Sequence, residues 1–388
     1  MPVLVPAVTG AQTPPDTGGA PEPGAEASAF DAQGMWIWYV SRSSGGSTAR
    51  IISRARRSGV RTVYIKAGDA ASSWSQLTSS LVAGLHAGGL RVCAWQFVYG
   101  DSPATEAKVG AGAVDKGADC LIIDAEGHYE GKYAAADRYI QALRARIGPD
   151  FPVSLAGFPY VDYHPGFPYS VFLGPDGAQY SQPQMYWKAI GTSVRTVYSH
   201  TYLYNRVFKR PIYPIGQTYE NPGRRKIKKF RRFAVNYGAA GVSWWSWQET
   251  AAGEWRALGR RVRRVRGLRP SYSHPMLKRG SRGDLVVWAQ EHLIAAGQTQ
   301  LPVTGVFGNG THNAVVAFQQ QNGLFADGVV GTTTWRKLLS YTPERVPWGS
   351  RKTARPSAAY RARPGGAPAP LSASMPARAY EIDPGPRP

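Results

Sequence analysis

Short apolar runs alternate with amphipathic segments along most of this chain. The runs are rich in β-branched and aromatic residues, as strands are, and lie at 35–40, 62–67, 92–99, 120–125, 153–158, 184–187, 212–217 and 242–247. Between them, stretches with helical periodicity lie at 48–57, 74–87, 103–116, 134–147, 194–204 and 224–237. Eight strands with intervening helices predict an α/β fold, a (β/α)8 TIM barrel. The alternative, a doubly wound open sheet, is less favoured because no glycine-rich dinucleotide loop follows the first strand.

A second pattern follows the predicted barrel. Three helical stretches, 285–296, 311–322 and 332–339, are separated by two similar loops, TGVFG at 304–308 and DGVVG at 327–331. Each loop ends in glycine followed closely by threonine, which suits a tight turn into a helix N-cap. Apolar positions predict a small three-helix all-α domain with a core of Leu285, Trp288, Leu293, Val315, Phe318, Trp335 and Leu338.

These patterns divide the chain into five parts. We predict a disordered leader at 1–30, the barrel at 31–262, a basic linker at 263–273, the small helical domain at 274–341, and a disordered tail rich in Pro, Ala and Arg at 342–388.

The net charge of +21 favours polyanionic partners: nucleic acid, anionic lipid surfaces or an anionic cell wall. Charge alone does not choose among them. The most basic stretch, 256–282, is either a solvated face with a flexible tether or an electrostatic anchor to anionic wall polymer or nucleic acid. Its irregular spacing matches no recognisable nucleic-acid motif.

The two cysteines, Cys93 and Cys120, have neither the number of a disulfide framework nor the spacing of a zinc site. Each lies near the start of a predicted strand, so we expect buried thiols. No apolar run is long enough for a transmembrane helix. Residues 1–29 lack the basic and continuous apolar regions of a secretory signal. A wall protein would then need another start codon, another export route, or release by a phage holin.

The candidate chemistry is a DxE pair, Asp124 and Glu126, at the end of the fourth predicted strand. Residues i and i+2 of a strand face the same side, with Cα atoms roughly 6.6 Å apart. Neighbouring carboxylates resist joint ionisation, so one can keep the proton that a general acid gives to a glycosidic oxygen. An isolated DxE is more often structural, forming hydrogen bonds or a salt bridge at a loop start. The carboxyl end of a barrel strand favours catalysis.

The C-terminal region resembles the peptidoglycan-binding domain family along its whole length. The two glycine loops match the family pattern, as do Gln290, Ala314, Phe318, Gln319, Gly323 and Leu324. The resemblance implies binding to cell-wall glycopeptide rather than catalysis.

The barrel resembles the family 25 lysozymes in its DxE and, more loosely, the family 18 chitinases. The chitinase pattern DxxDxDxE begins here at Asp119, but Ile122 replaces its middle aspartate. The resemblance implies that Glu126 is the proton donor. It also implies that Asp124 orients the substrate's 2-acetamido group or stabilises the positive charge that develops on the sugar.

Two further strand ends resemble those of chitinases. The segment from Gln184 to Trp187 implies that Tyr186 supports an N-acetyl group, and the strand ending in Trp244 and Trp245 implies that Trp245 forms the floor of the sugar site. Other expected substrate contacts are Gln184, Trp38, Gln96, Tyr99 and Gln217, with a wider set of mouth candidates in Lys66, Asp69, Asp101, Tyr160, Asp162, Tyr219, Trp247 and Gln248.

No cofactor is expected. His128 and Glu130 lie close together, but a metal site is not favoured because no second convergent histidine motif accompanies them. The sequence therefore predicts a lysozyme-like peptidoglycan hydrolase, endolysin-like in its domains, that is secreted or wall-associated or borne by a phage. Its expected partners are peptidoglycan strands and anionic wall polymers, without specific nucleic acid. A non-catalytic glycan-binding barrel is the alternative, and a nucleic-acid-associated protein rests on the basic stretch alone.

Overall fold

The computed structural model describes residues 28–349, and its larger domain is a parallel barrel. Its strands are β1 (Ala32–Ile37), β2 (Thr62–Asp69), β4 (Arg91–Val98), β5 (Cys120–Ala125), β6 (Val153–Gly157), β7 (Tyr180–Pro183), β8 (Ile215–Gln217) and β9 (Gly241–Trp245), and the two-residue β3 (Ser72–Ser73) pairs with the end of β2. The strand order is β7-β6-β5-β4-β2-β1-β9-β8, and parallel bridges between Ser181 and Ile212 and between Gln184 and Ile215 join the two ends. The predicted (β/α)8 barrel is confirmed.

Helices surround the strands. Ser47, Thr78 and Ser193 cap three of them by accepting a hydrogen bond from a backbone N–H of the first turn. The barrel helices are α1 (Thr48–Arg57), α2 (Ser79–Ala87), α3 (Pro103–Val114), α4 (Tyr133–Ile147), α5 (Tyr169–Phe172), α6 (Val194–Asn205), α7 (Arg224–Asn236) and α8 (Ala252–Leu258).

Two buried clusters separate the inside of the barrel from its outside. Alternate strand residues face opposite ways. One set, with Met35, Val63 and Ile123, packs under the helices. The other set fills the barrel and includes Trp36, Tyr64, Cys93, Trp95, Cys120, Ile122, Ile215 and Trp245. The second set matters for the chemistry of the molecule, because some of its members, such as Trp245, lie at the carboxyl ends of the strands.

Several element boundaries were predicted wrongly. The sixth barrel strand is β7, which ends at Pro183; after it, the N–H groups of Met185 and Trp187 bond to carbonyls two residues earlier and curl the chain. The seventh strand is shorter than predicted because Pro214 has no N–H for the ladder. The second helix begins at Ser79 rather than Trp74, because Trp74 donates its N–H to the carbonyl of Ala67 in β2 and Thr78 caps the helix.

The expectation of two thiols is also wrong. Cys93 and Cys120 are buried, but they form a disulfide, with Cα atoms 4.6 Å apart. They are direct partners in the register between β4 and β5 and face the same side. Direct pairing on neighbouring strands brings two side chains close enough to bond, a relationship that a separation of 27 residues does not reveal.

The small domain contains α9 (Asp284–Ala295), α10 (Asn309–Gln321) and α11 (Thr332–Leu338). Its two similar loops are held in the same way. The side chain of Gln290 bonds to the backbone of the first loop and to the hydroxyl of Thr311, and Gln319 makes the equivalent bonds to the second loop and Thr334. The N-cap residues of α10 and α11 are Gly308 and Gly331, the last glycine of each loop.

The two domains share a packed interface along α9. Trp288, expected in the core of the small domain, donates its indole N–H to the carbonyl of Val207 at 2.7 Å and lies against Phe208 of the barrel. Asp284 binds Ser170 of α5 through both carboxylate oxygens, at 2.7 and 2.8 Å. The interface fixes the small domain against the barrel.

Both predicted disordered ends are wrong where the structure describes them. Phe30, assigned to the leader, is 1% exposed and lies against Tyr180 and Tyr213 at the amino-terminal end of the barrel. Arg345, assigned to the tail, pairs with Asp137 at 2.6 Å, and Trp348 packs on Tyr133. The remainder of both predicted segments, 1–27 and 350–388, lies outside the described residues.

None of the helices within residues 28–349 combines the length and apolar character required to cross a membrane.

Candidate active site

Asp124 and Glu126 lie together at the carboxyl end of β5. Asp124 is the fifth residue of the strand, and Glu126 directly follows its last residue. One amide joins them: Nε2 of Gln184 donates to an oxygen of Asp124 at 3.1 Å and to one of Glu126 at 2.9 Å. The structure therefore brings together three of the predicted site residues, from strands adjacent to β6 on either side.

Both carboxyl groups are held in their protonated form more strongly than in water. Asp124 is 5% and Glu126 8% exposed. Burial raises the pKa of Glu126 to about 7, although the bond from Gln184 opposes this shift. Burial, with the neighbouring charge of Glu126 second, raises the pKa of Asp124 well above its usual range. A pair of this kind can hold a proton near neutral pH, as a general acid requires.

A buried cation lies beside the pair. Lys66 of β2 is 2% exposed, faces the inside of the barrel and bonds through Nζ to Asp69 at 2.6 Å. Its ammonium is 4.4 Å from the ring centres of Trp38 and Trp74 and 5.0 Å from that of Trp95. Burial lowers the pKa of Lys66, while its positive charge favours the ionised form of Asp124. Lys66 therefore acts on Asp124 in the opposite direction to burial and to the charge of Glu126.

Tryptophans form the wall beneath this group. Trp245, at the end of β9, lies 5.4–5.6 Å from the ring centres of Trp36, Trp38 and Trp95, mostly edge to face. The indole nitrogen of Trp38 is buried and has no hydrogen-bond partner among the described residues. Flat apolar ring faces suit a sugar ring, whose own faces are apolar. Trp38 follows the end of β1 and Trp245 ends β9, so both lie at the carboxyl end of the barrel.

Two tyrosines complete the surroundings. Tyr99 bonds to Asp69, and burial with this neighbour raises its pKa to about 12, so its hydroxyl stays protonated at neutral pH. Tyr186 is 7% exposed and meets Tyr219 edge to face, at 5.6 Å between ring centres. The Tyr99 hydroxyl is thus engaged by Asp69, close enough to the carboxyl pair for the charges of Glu126 and Asp124 to raise its pKa further.

Gln96 is not part of the site. Its side chain is fully buried between the strands and the surrounding helices. There it donates to the carbonyls of Ala70 and Glu106 and accepts from the hydroxyl of Tyr139. The physical reason is strand alternation: Trp95 and Phe97 face inward, so the residue between them faces the helices. The prediction of Gln96 as a substrate contact is wrong.

Gln217 faces inward but has a supporting role in this structure. Its carbonyl oxygen accepts the N–H groups of Lys188 and Ala189, at 2.7 and 3.1 Å, and so holds the loop that follows Tyr186. Its amide nitrogen is buried without a partner among the described residues. Gln217 thus positions the loop that includes Tyr186.

The pair considered for a metal has other contacts. His128 lies against Tyr99, and Glu130 bonds to His164 at 3.1 Å. Within residues 28–349, no group of three or more His, Cys, Asp and Glu side chains is arranged to hold a metal ion.

Two residues beside the site were missed from the sequence. Gln76 donates to the carbonyls of Trp38 and Lys66, at 2.7 and 2.8 Å, and joins the ends of β1 and β2. Trp74 covers Lys66. Both were assigned to a helix, and no periodicity distinguishes them; the Ser and Thr around them were the available signal for a loop.

Comparison with known families concerns the small domain. The sequence model of the peptidoglycan binding domain family matches residues 282–338, which confirms the resemblance of this region. A solved peptidoglycan-binding protein from Clostridioides difficile, in complex with glutamine hydroxamate, is 41% identical over 16% of this chain and 40% of its own, with a TM-score of 0.16.

Solved structures similar to the barrel have low sequence identity. A class V chitinase from Pseudomonas fluorescens Pf-5 is 12% identical over 59% of this chain and 98% of its own, with a TM-score of 0.45. The spore cortex-lytic enzyme SleL from Bacillus cereus is 11% identical over 59% of this chain and 73% of its own, with a TM-score of 0.41.

Proposed function

We propose that this protein is a glycoside hydrolase that cleaves the glycan strands of peptidoglycan. The observation that carries the proposal is the buried carboxyl pair, Asp124 and Glu126, bridged by Gln184 at the carboxyl end of a barrel strand. That end is where barrel enzymes place their chemistry. The match of residues 282–338 to the peptidoglycan binding domain family supports the choice of substrate.

In the proposed reaction, Glu126 gives its proton to the glycosidic oxygen, and its raised pKa keeps that proton available. Asp124, beside the cation of Lys66, orients the substrate's 2-acetamido group or stabilises the positive charge on the sugar. Some glycosidases use this substrate-assisted route, in which the acetamido group replaces a second carboxylate as nucleophile. Tyr186 would support the acetamido group, and Trp38 and Trp245 would contact the ring.

The small domain would hold the enzyme on its polymer, and the protein would act outside the cell or in the wall. We favour a lysozyme-like activity, as in the family 25 resemblance, over that of a standard chitinase. Ile122 is fully buried where the chitinase pattern has a carboxylate, so a buried acid of that pattern is missing beside Asp124.

The test is digestion of purified peptidoglycan followed by mass spectrometry of the soluble products, with the Glu126→Gln variant beside the wild type. Loss of the general acid should lower the rate about 10²- to 10⁴-fold. The matched control is Glu130→Gln in the same loop, whose side chain bonds only to half-buried His164 in the described contacts. It should cleave at the wild-type rate.

The reducing-end sugar of the products identifies the bond that is cut. If folded Glu126→Gln protein released products as fast as the wild type, the assignment of Glu126 would be wrong. If the wild type bound peptidoglycan and formed no new reducing ends, the barrel would be a glycan-binding domain only.

A further inference from the structure

One side of the barrel has a continuous basic surface. The exposed arginines and lysines of α1, α7 and the segment 256–266, together called the basic face, lie on neighbouring elements. The ring order places α1 beside α8, because β1 pairs with β9. No Asp or Glu occurs in residues 32–68, 221–248 or 255–283. Three separate acid-free stretches therefore meet on one surface.

The chain that follows α8 is fixed along α7 by side chains of that helix. Arg231 donates to the carbonyls of Ala257 and Arg260, and Arg232 donates to that of Arg263 at 3.2 Å. Asn236 donates to the carbonyls of Val265 and Leu268, at 3.0 and 2.9 Å. The stretch that the sequence left open as a flexible tether is thus ordered, and its arginines lie beside those of the helix.

The other border of the basic face is joined to α1. The amide of Gln33 donates to the carbonyls of Ser58, just after α1, and of Leu258, at the end of α8. The guanidinium of Arg54 lies 5.5 Å from the ring centre of Trp255. The buried sides of these elements are apolar, so their basic side chains are directed outward.

Within residues 28–349, these charges are not paired with acidic side chains. Among the described residues, none of the ion pairs includes a side chain of α1, α7 or 256–266. Nearby Glu254 is buried, and Glu249 accepts a bond from Ser246. A surface of like charges repels itself and is favourable when an external polyanion neutralises it.

We propose that the basic face binds a phosphodiester-bearing glycopolymer of the cell wall. Most of its cations are arginines, whose planar guanidinium groups pair with phosphate through two parallel hydrogen bonds. The large apolar side chains that are strongly exposed, Tyr163, Tyr272, Met276 and Phe325, lie outside it. The face therefore lacks exposed rings for stacking on bases and apolar groups for insertion into a bilayer. The choice of the wall as location rests on the proposed function.

The test is co-sedimentation of the full chain with purified cell walls, before and after chemical removal of their phosphodiester polymer. The variant carries three substitutions, Arg225→Gln, Lys228→Gln and Arg264→Gln. All three positions are exposed, and their side chains form no hydrogen bond among the described residues. The control is Lys108→Gln, Arg138→Gln and Arg146→Gln on α3 and α4, which changes the net charge equally. Thermal unfolding verifies that all forms are folded.

The wild type and the control should bind native walls about tenfold more tightly than stripped walls at about 0.1 M salt. The variant should lose most of this difference, and the slope of log affinity against log salt should fall by about three. Equal binding by variant and control would overturn the proposal. Tighter wild-type binding to duplex DNA or phosphatidylglycerol vesicles than to the extracted wall polymer would overturn the choice of partner.

Failure of the proposed function gives a different result. If the wild type releases no product from peptidoglycan but binds native walls more tightly than stripped walls, the proposed hydrolase activity is wrong and the proposed binding by the basic face stands. If the variant hydrolyses solubilised peptidoglycan fully and all forms bind both wall preparations equally, the hydrolase activity stands and the binding proposal is wrong.

Discussion

Two sites with buried carboxyl groups can be compared in this molecule, the barrel mouth and the interface between the domains. At the mouth, Asp124 and Glu126 share a single amide donor from Gln184. At the interface, Asp284 accepts bonds from the backbone and hydroxyl of Ser170 and also bonds to Tyr133. Burial nevertheless raises the pKa of both Glu126 and Asp284 to about 7.

The difference shows that a raised pKa does not by itself identify a catalytic acid. Asp284 is fully enclosed, 0% exposed, and joins α5 to α9. Its donors leave no capacity for a substrate. Glu126 has one described hydrogen-bond partner, Gln184, and lies at the end of the strands. Location and unused hydrogen-bonding capacity separate the two roles, and the following experiments test that separation.

The largest expected effect is on the pH dependence of hydrolysis. Glu126 must be protonated to act, so kcat/KM on solubilised peptidoglycan should fall about tenfold per pH unit above about 7. Initial rates between about pH 5 and pH 9 measure this limb. Asp284→Asn should leave its position unchanged. A limb that moved with Asp284 rather than with Glu126 would reverse the two assignments.

The next effect is on stability. Asp284→Ala leaves the donors of Ser170 and Tyr133 unpaired in a buried interface, which should cost about 2–3 kcal/mol of unfolding free energy. Glu126→Gln should cost less than about 1 kcal/mol, because Gln184 can still donate to its oxygen. Urea denaturation measures both, with exposed Asp150→Ala as control. Equal losses from the Asp284 and Glu126 substitutions would show that the mouth pair is structural.

A smaller effect is expected from the cation beside the mouth. Lys66→Met keeps the contacts with Trp38 and Trp74 but removes the charge that favours ionised Asp124. The acid limb of kcat/KM should move to higher pH, with about a tenfold loss at about pH 6. Lys108→Met is the exposed control. An unchanged profile in folded protein would mean that Lys66 acts only in packing.

The smallest effect is the pH dependence of folding that Asp284 contributes. Its folded-state pKa of about 7 is above the unfolded value of 3.8. Its contribution is therefore complete below the unfolded pKa and is lost as pH rises through about 7. The wild type should lose about 1–2 kcal/mol more than Asp284→Asn between about pH 5 and pH 6. A parallel loss in both proteins would contradict the raised pKa of Asp284.

The sequence predicted the barrel because its strands are buried on both sides and appear as continuous apolar runs. The same property hid the direction of each side chain. In the run from Val92 to Val98, both alternating sets are apolar or aromatic apart from Gln96, so Gln96 was assigned to the wrong side. The pairing of Phe97 with Asp124 determines that direction, and pairing is a tertiary relationship.

Sequence alone therefore determined what is local: the strand and helix pattern, the DxE at the end of β5, and the domain that matches a peptidoglycan-binding family. Tertiary structure decided what depends on long-range pairing. It joined Gln184 to Asp124 and Glu126, linked Cys93 to Cys120, enclosed Asp284 between two domains, and assembled the basic face from three distant stretches. The physical reason is that these contacts arise from barrel closure and domain packing, whose register no local periodicity specifies.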